Sequence, residues 1–152
     1  MNNKDLEIIS HLRQNARMPL TIMSKKTRIP VSTIFGRLKT HADNVIAKHT
    51  SLLNFALLGY YARANITIKV DRDDKQIVKE YLTKHQAVNS LYKINNGYDF
   101  MIEGVFRQVS DMENFLDELE NKFRISDRKS FFIIEDLKRE AFLCNPHLAI
   151  ME

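Results

Sequence analysis

The sequence predicts an α+β protein in two parts, an N-terminal helix-turn-helix followed by a C-terminal ferredoxin-like βαββαβ domain. Three observations carry that expectation. Apolar residues recur at helical spacing through the first third, and turn residues cut that pattern into three short pieces. The period then switches to two between residues 61 and 70. Beyond it, helix and strand patterns alternate around an Asn96-Gly97 pair, a strong local signal for a hairpin.

Taken in order, the first helix starts at Asn3 as N-cap. Asp5 and Glu7 fall in its positive first turn, and Leu6, Ile8, Ile9 and Leu12 make an apolar stripe. Residues 15–19 break it. A second helix fits 20–27, with Leu20 and Met23 inward, and Ile29-Pro30 makes a tight connection. A third helix runs from Val31 to Asp43 with Ile34, Phe35 and Leu38 on its buried side. The apolar stretch 45–59 reads as an extended, then turning, connector that packs on a neighbouring domain or subunit. Ala62, Ala64, Ile66, Ile68 and Val70 alternate with Tyr61, Arg63, Asn65, Thr67 and Lys69 as a half-buried strand. A helix follows over 74–84 with Ile77, Val78, Tyr81 and Leu82 inward, then a strand over 87–94. Asn96 and Gly97 tolerate the positive φ that a type I′ turn needs, and Phe100 to Arg107 is the returning strand. Ser110 and Asp111 open a helix carrying Met112, Phe115, Leu116, Leu119 and Phe123, and Ser130 to Lys138 reads as the last strand. The implied division is 1–44, a connector at 45–60, and 61–152.

Charge is distributed unevenly. Residues 1–50 hold nine Lys/Arg against three Asp/Glu, a net of +6, whereas residues 60–152 hold fourteen against sixteen, a net of −2. The first part is therefore the one suited to a polyanion, double-stranded DNA being the natural candidate for a helix-turn-helix. Ser32, Thr33, Arg37 and Lys39 are the residue types on the third helix that reach base edges and phosphates. Lys25, Lys26 and Arg28 suit phosphate contacts that position without reading sequence. For Arg37 the competing role is a salt bridge within the bundle, and for the lysines it is plain solvation. One cysteine, Cys144, and the absence of an apolar leader or a membrane-length run point to a cytoplasmic protein without disulfides. The five histidines are not paired on a helix face, the four glycines are not clustered, and no nucleophile motif occurs. No catalytic residue, metal site or cofactor is expected.

These segments together resemble the Lrp/AsnC, or feast/famine, family of transcriptional regulators along nearly the whole chain. The resemblance rests on "KDLEIISHLRQNARMPLTIMSK", "STIFGRLK", "VIAKHTSLLNFALLG" and "INNGYDFMIEG" in that order and spacing. It implies a winged or extended helix-turn-helix, a connector strand, and a RAM/ACT-like domain for ligand sensing and assembly. It further implies homodimers assembling to octamers or similar forms on pseudo-palindromic DNA, with an amino-acid effector. Ser32, Thr33 and Arg37 lie where members present recognition-helix contacts. Asn96, Gly97, Tyr98 and Asp99 match the segment that borders the effector pocket in relatives. Asp99 suits a ligand ammonium, though closing the hairpin is its ordinary alternative. Pro30 replaces the usual helix-start serine, His41 a usual apolar residue, and Asn44 stands where a turn glycine is common. Two other readings compete: an effector-independent architectural DNA-binding protein, and a sirohaem-decarboxylase-like enzyme subunit, for which His85 and Arg107 would be the candidates.

Overall fold

The computed structural model describes residues 2–42 and 44–146, the side chains of 41 and 42 excepted. His41 as a side chain and His147 lie outside the description. The chain forms two compact units, Met1–Leu52 with Leu137–Glu152, and Leu53–Asp136. The segment after Asp136, assigned from the sequence to the second domain, groups with the first.

The first unit is built on α1 (Asn3–Gln14), α2 (Leu20–Thr27) and α3 (Val31–Ala42). The cap of α1 is Asn2, one residue earlier than expected. Its side chain accepts from the Asp5 N–H at 3.0 Å while the Asp5 carboxylate accepts from the Asn2 N–H at 2.9 Å, a reciprocal box that satisfies two donors of the first turn. The α2–α3 turn is three residues. Arg28 takes the left-handed conformation at φ 56°, Ile29 is buried, and the Pro30 carbonyl accepts the Ile34 N–H at 3.0 Å. Proline is tolerated there because a helix start leaves its N–H without a partner in any case. Asn44 closes α3 by donating its side-chain amide to the Thr40 carbonyl at 3.0 Å, so it serves as a cap where glycine is common. Ile8, Met23, Ile29 and Ile34 form the buried core, with Leu12, Met18, Leu20 and Leu38 against it. Phe35 departs from expectation: it is 62% exposed. The described residues of this unit contain no strand. Its C-terminal segment is tied to the end of α1, where Arg13 donates to the carbonyls of Phe142 (3.0 Å) and Glu140 (2.7 Å) and Gln14 to that of Cys144 (2.6 Å).

In the second unit, the connector after Leu53 turns through a short 3-10 segment, Ala56–Leu58, to Gly59 at φ 84°, a left-handed value that glycine adopts without a Cβ penalty. The expected connector strand does not pair with any described strand; a ladder needs a neighbouring strand, and the single chain offers none here. The strands are β1 (Ala62–Val70), β2 (Val88–Lys93), β3 (Phe100–Phe106) and β4 (Ile125–Phe132), antiparallel in the order β2-β3-β1-β4, with α4 (Lys75–Lys84) and α5 (Val109–Lys122) between them. This is the βαββαβ arrangement. Alternation along β1 puts Ala62, Ala64, Ile66, Ile68 and Val70 into one core with Val78, Leu82, Ile102, Met112, Phe115, Leu116 and Leu119. Ile77, expected inward, is exposed, because Val78 and Leu82 already fill the i, i+4 seam of α4. The last strand begins five residues earlier than expected. The apolar run Phe131 to Ile134 suggests a strand centred there, yet Phe131 and Phe132 end an edge strand and Ile134 is 92% exposed. At Gly104 a Cβ would stand 2.5 Å from the Phe106 ring, so the ring lies over the glycine within the sheet.

Candidate nucleic-acid interface and effector hairpin

On α3, Ile34 is buried and Leu38 is packed against the core, which turns Ser32, Thr33, Gly36, Lys39 and Thr40 outward. No Asp or Glu occurs between residues 31 and 42. Lys25, Lys26 and Arg28, at and just beyond the end of α2, are exposed as well, and none of these cations or Lys39 makes an ion pair with a described residue. Six of the seven residues singled out from the sequence thus lie on open surface of the α2–turn–α3 element.

Arg37 does not. It forms an ion pair with Asp5 and donates to the Asn2 side chain at 3.1 Å, with side-chain exposures of 28% for Arg37 and 10% for Asp5. Its guanidinium ties α3 to the capping box of α1, so the competing role of a bundle salt bridge is the one it fills. On α3, Phe35 is the residue that the sequence pattern assigned to the wrong face. It stands at i+3 from Ser32 and i−4 from Lys39, beside both on the exposed surface. The i, i+4 spacing of Val31 and Phe35 imitates a core stripe, so hydrophobicity alone pointed inward.

In the second unit the β2–β3 hairpin turns at Asn96 (φ 64°) and Gly97 (φ 89°), the two positive values that a type I′ turn requires. The Ile94 N–H donates to the Asp99 carbonyl at 3.0 Å to close it. Asn96 and Gly97 are exposed at the tip. Tyr98 is half-buried, donates its hydroxyl to Asp127 at 2.7 Å, and has Lys129 over its ring at 5.5 Å. Asp99 is engaged inside the fold: its carboxylate accepts from the Val70 N–H at 2.8 Å and pairs with Lys75 at 2.5 Å. Burial pushes this carboxyl up, but the hydrogen bonds from Lys75 and Val70 outweigh it and hold the group below its ordinary value. Asp99 therefore fastens β3 to the end of β1 and to α4.

The sheet face away from the helices carries a charged cluster. Arg63 bridges Glu103 and Asp136, both at 2.7 Å, and Asn89 donates to Glu103 at 3.0 Å. Burial raises Glu103, and the hydrogen bonds from Asn89 and Arg63 bring it below its usual range. A separate open cleft is lined by Tyr60, His85, Arg107, Asp111, Asn114 and Glu118, and no hairpin residue lines it. His85 packs at a tilt against Phe115 with ring centroids 4.8 Å apart, and its burial holds the imidazole below its ordinary value. Among the described residues no group of three His, Cys, Asp or Glu side chains stands close enough to hold a metal ion, and no helix is long and apolar enough to cross a membrane.

Comparison with known proteins agrees with this architecture. Residues 63–142 match the Lrp/AsnC ligand binding domain. The HTH-type transcriptional regulator FL11 of Pyrococcus furiosus is 31% identical over 77% of this chain and 78% of its own. Its counterpart from Pyrococcus abyssi is 32% identical over 74% and 76%. Among solved structures, a transcriptional regulator of Neisseria meningitidis in complex with L-Met superimposes with a TM-score of 0.85 at 18% identity, covering 91% of this chain and 93% of that one. AsnC of E. coli does so with a TM-score of 0.80 at 18% identity, covering 91% and 95%. By its ligand-domain match and its relatives, this chain belongs to the Lrp/AsnC family of HTH-type transcriptional regulators.

Proposed function

We propose that the protein binds double-stranded DNA sequence-specifically through α3, in the cytoplasm, and regulates transcription as a homodimer or larger assembly whose DNA affinity an amino acid or related small molecule modulates. The observation that carries this reading is the acid-free outer face of α3, beside Lys25, Lys26 and Arg28, in a unit of net charge +6 over residues 1–50. Lys25, Lys26, Arg28 and Lys39 neutralise phosphates, and Ser32 and Thr33 meet base edges. Arg37 acts indirectly, by fixing α3 against α1. In a dimer, two such helices enter successive major grooves about 34 Å apart. The effector reading draws on the L-Met complex of the Neisseria relative. Asn96, Gly97 and Tyr98 are the hairpin positions open to a ligand, with Asp99 holding the hairpin in place. A ligand bound there shifts the assembly only by as much as it prefers one state over another.

Selection of genomic fragments by the full chain, followed by salt titration of the best fragment with and without each amino acid, tests both halves. Regulation by an effector predicts that at least one amino acid changes the affinity. A uniform lack of response, with DNA binding intact, supports the architectural reading instead. The regulator names of the relatives favour either over an enzyme.

A further inference from the structure

A large aromatic side chain with most of its surface in water is unusual on an amphipathic helix whose inward face is already filled. Phe35 is 62% exposed, while Ile34 next to it is fully buried and completes the core with Ile8, Met23 and Ile29. Its neighbour Gly36 is equally conspicuous. Glycine within a helix costs about 1 kcal/mol relative to alanine. Yet a Cβ at Gly36 would meet nothing within 4 Å, and the backbone there has no positive φ to require it. Neither residue is explained by the folding of the unit. Both are explained by a close approach of another molecule to this part of the helix, the ring packing against it and the missing side chain leaving room. The approaching molecule is polyanionic: Lys39 lies one turn from Phe35 on the exposed surface, Lys25, Lys26 and Arg28 are exposed at the end of α2 and in the turn that leads into α3, and α3 itself bears no acid. A second copy of the chain bringing its own cations here would meet like charge.

We infer that Phe35 is a specificity-determining residue that packs on thymine 5-methyl groups in the major groove, with Gly36 allowing the helix to approach the base edges. The thymine methyl is the apolar feature that the major groove displays, and an aromatic side chain is a suitable partner for it. This inference rests on the DNA-binding reading above and adds its sequence preference: the target contains thymine under each copy of α3.

The test isolates the methyl group. A duplex is selected from a random pool by the full chain, and each dT is then replaced in turn by dU, which removes the methyl and keeps the base-pairing edge. For the unaltered protein at fixed salt, uracil is expected to weaken binding about fourfold at one or more positions per half-site, the worth of one apolar carbon removed from water. Phe35→Ala loses that sensitivity and binds dT and dU duplexes alike, whereas Phe35→Leu retains it in part. Lys39→Ala keeps the uracil profile and lowers the salt dependence. A flat uracil profile for the unaltered protein overturns the inference, as does an undiminished profile in Phe35→Ala. A change in self-association of Phe35→Ala with its uracil profile intact assigns the ring to a protein interface and also overturns it. Absence of any salt-dependent DNA binding removes the regulator reading itself, an outcome distinct from binding with a flat profile.

Discussion

The two units solve the same problem with very different amounts of apolar surface. Fourteen described residues form the buried core of the Leu53–Asp136 unit, and four form that of the helix-turn-helix. The smaller unit supplements its core with directional polar interactions: the Asn2–Asp5 box, the Arg37–Asp5 pair, and the Arg13 and Gln14 bonds to the C-terminal segment. A unit with a small core and a reactive surface is the one whose stability single substitutions are most able to exhaust. The larger unit carries its hairpin, cleft and open sheet face around a core that its two helices and the inward face of the sheet fill.

The sharpest way to break this contrast is to make the same change in both cores. Ile34→Ala and Ile66→Ala each remove a fully buried side chain, which costs about 2–5 kcal/mol. In denaturant titrations followed by DNA binding and by circular dichroism, Ile34→Ala is expected to abolish DNA binding while the sheet signal persists. Ile66→Ala is expected to leave a folded sheet with a lower midpoint. Simultaneous loss of both signals in Ile34→Ala would show the units to be one cooperative body. Next in size, Gly104→Ala forces the Phe106 ring away from the strand and should cost about 1–3 kcal/mol, read in the sheet transition alone. Asp5→Ala removes the cap partner and the acid beneath Arg37, and should cost the helical unit about 1–2 kcal/mol while weakening DNA binding through misplacement of α3.

The larger unit has a pH response of its own. His85 has its pKa lowered on folding, so its contribution is fully present above about pH 6.5, the ordinary histidine value, and declines as pH falls below it. Asp99 and Glu103 are also lowered, so theirs is present above about pH 4, near the ordinary carboxylate values, and is lost as pH falls through their folded values. Thermal melts of the sheet should therefore fall in two steps on acidification, the first absent in His85→Phe. The smallest expected effect has the opposite sign. Arg28 occupies a left-handed position at the end of α2, where glycine fits without strain, so Arg28→Gly should stabilise the helical unit by about 1 kcal/mol. The same change removes a cation proposed to meet phosphate and is then expected to weaken DNA binding, so a more stable protein that binds less tightly would separate the two roles of that residue.

What was legible in the sequence follows the range of the interactions involved. β1 was readable because its alternation is local, and the hairpin because Asn96 and Gly97 are the residues that tolerate its backbone angles. The boundaries of α2 follow from Pro19 and from the Arg28–Pro30 turn. β4 was displaced because its first residues, Ile125 to Arg128, are polar enough for an edge strand, while the apolar run beyond them is exposed. The partner of Arg37 lies 32 residues away and that of Asp99 29, separations that no local pattern encodes. Phe35 misled for the reverse reason: its local pattern fits a core, and the buried Ile34 and the packed Leu38 have already completed it.

In the proposed function the small basic unit holds duplex DNA through the exposed α2–turn–α3 surface. The most direct measurement is the affinity of the full chain for its selected duplex as a function of salt, compared with Lys25→Ala/Lys26→Ala. A linear fall of log affinity with log salt is predicted, with a slope reduced by about 0.9 for each phosphate that the variant no longer neutralises. Binding that is absent at low salt, indifferent to salt, or unchanged in slope when both lysines are removed would contradict it.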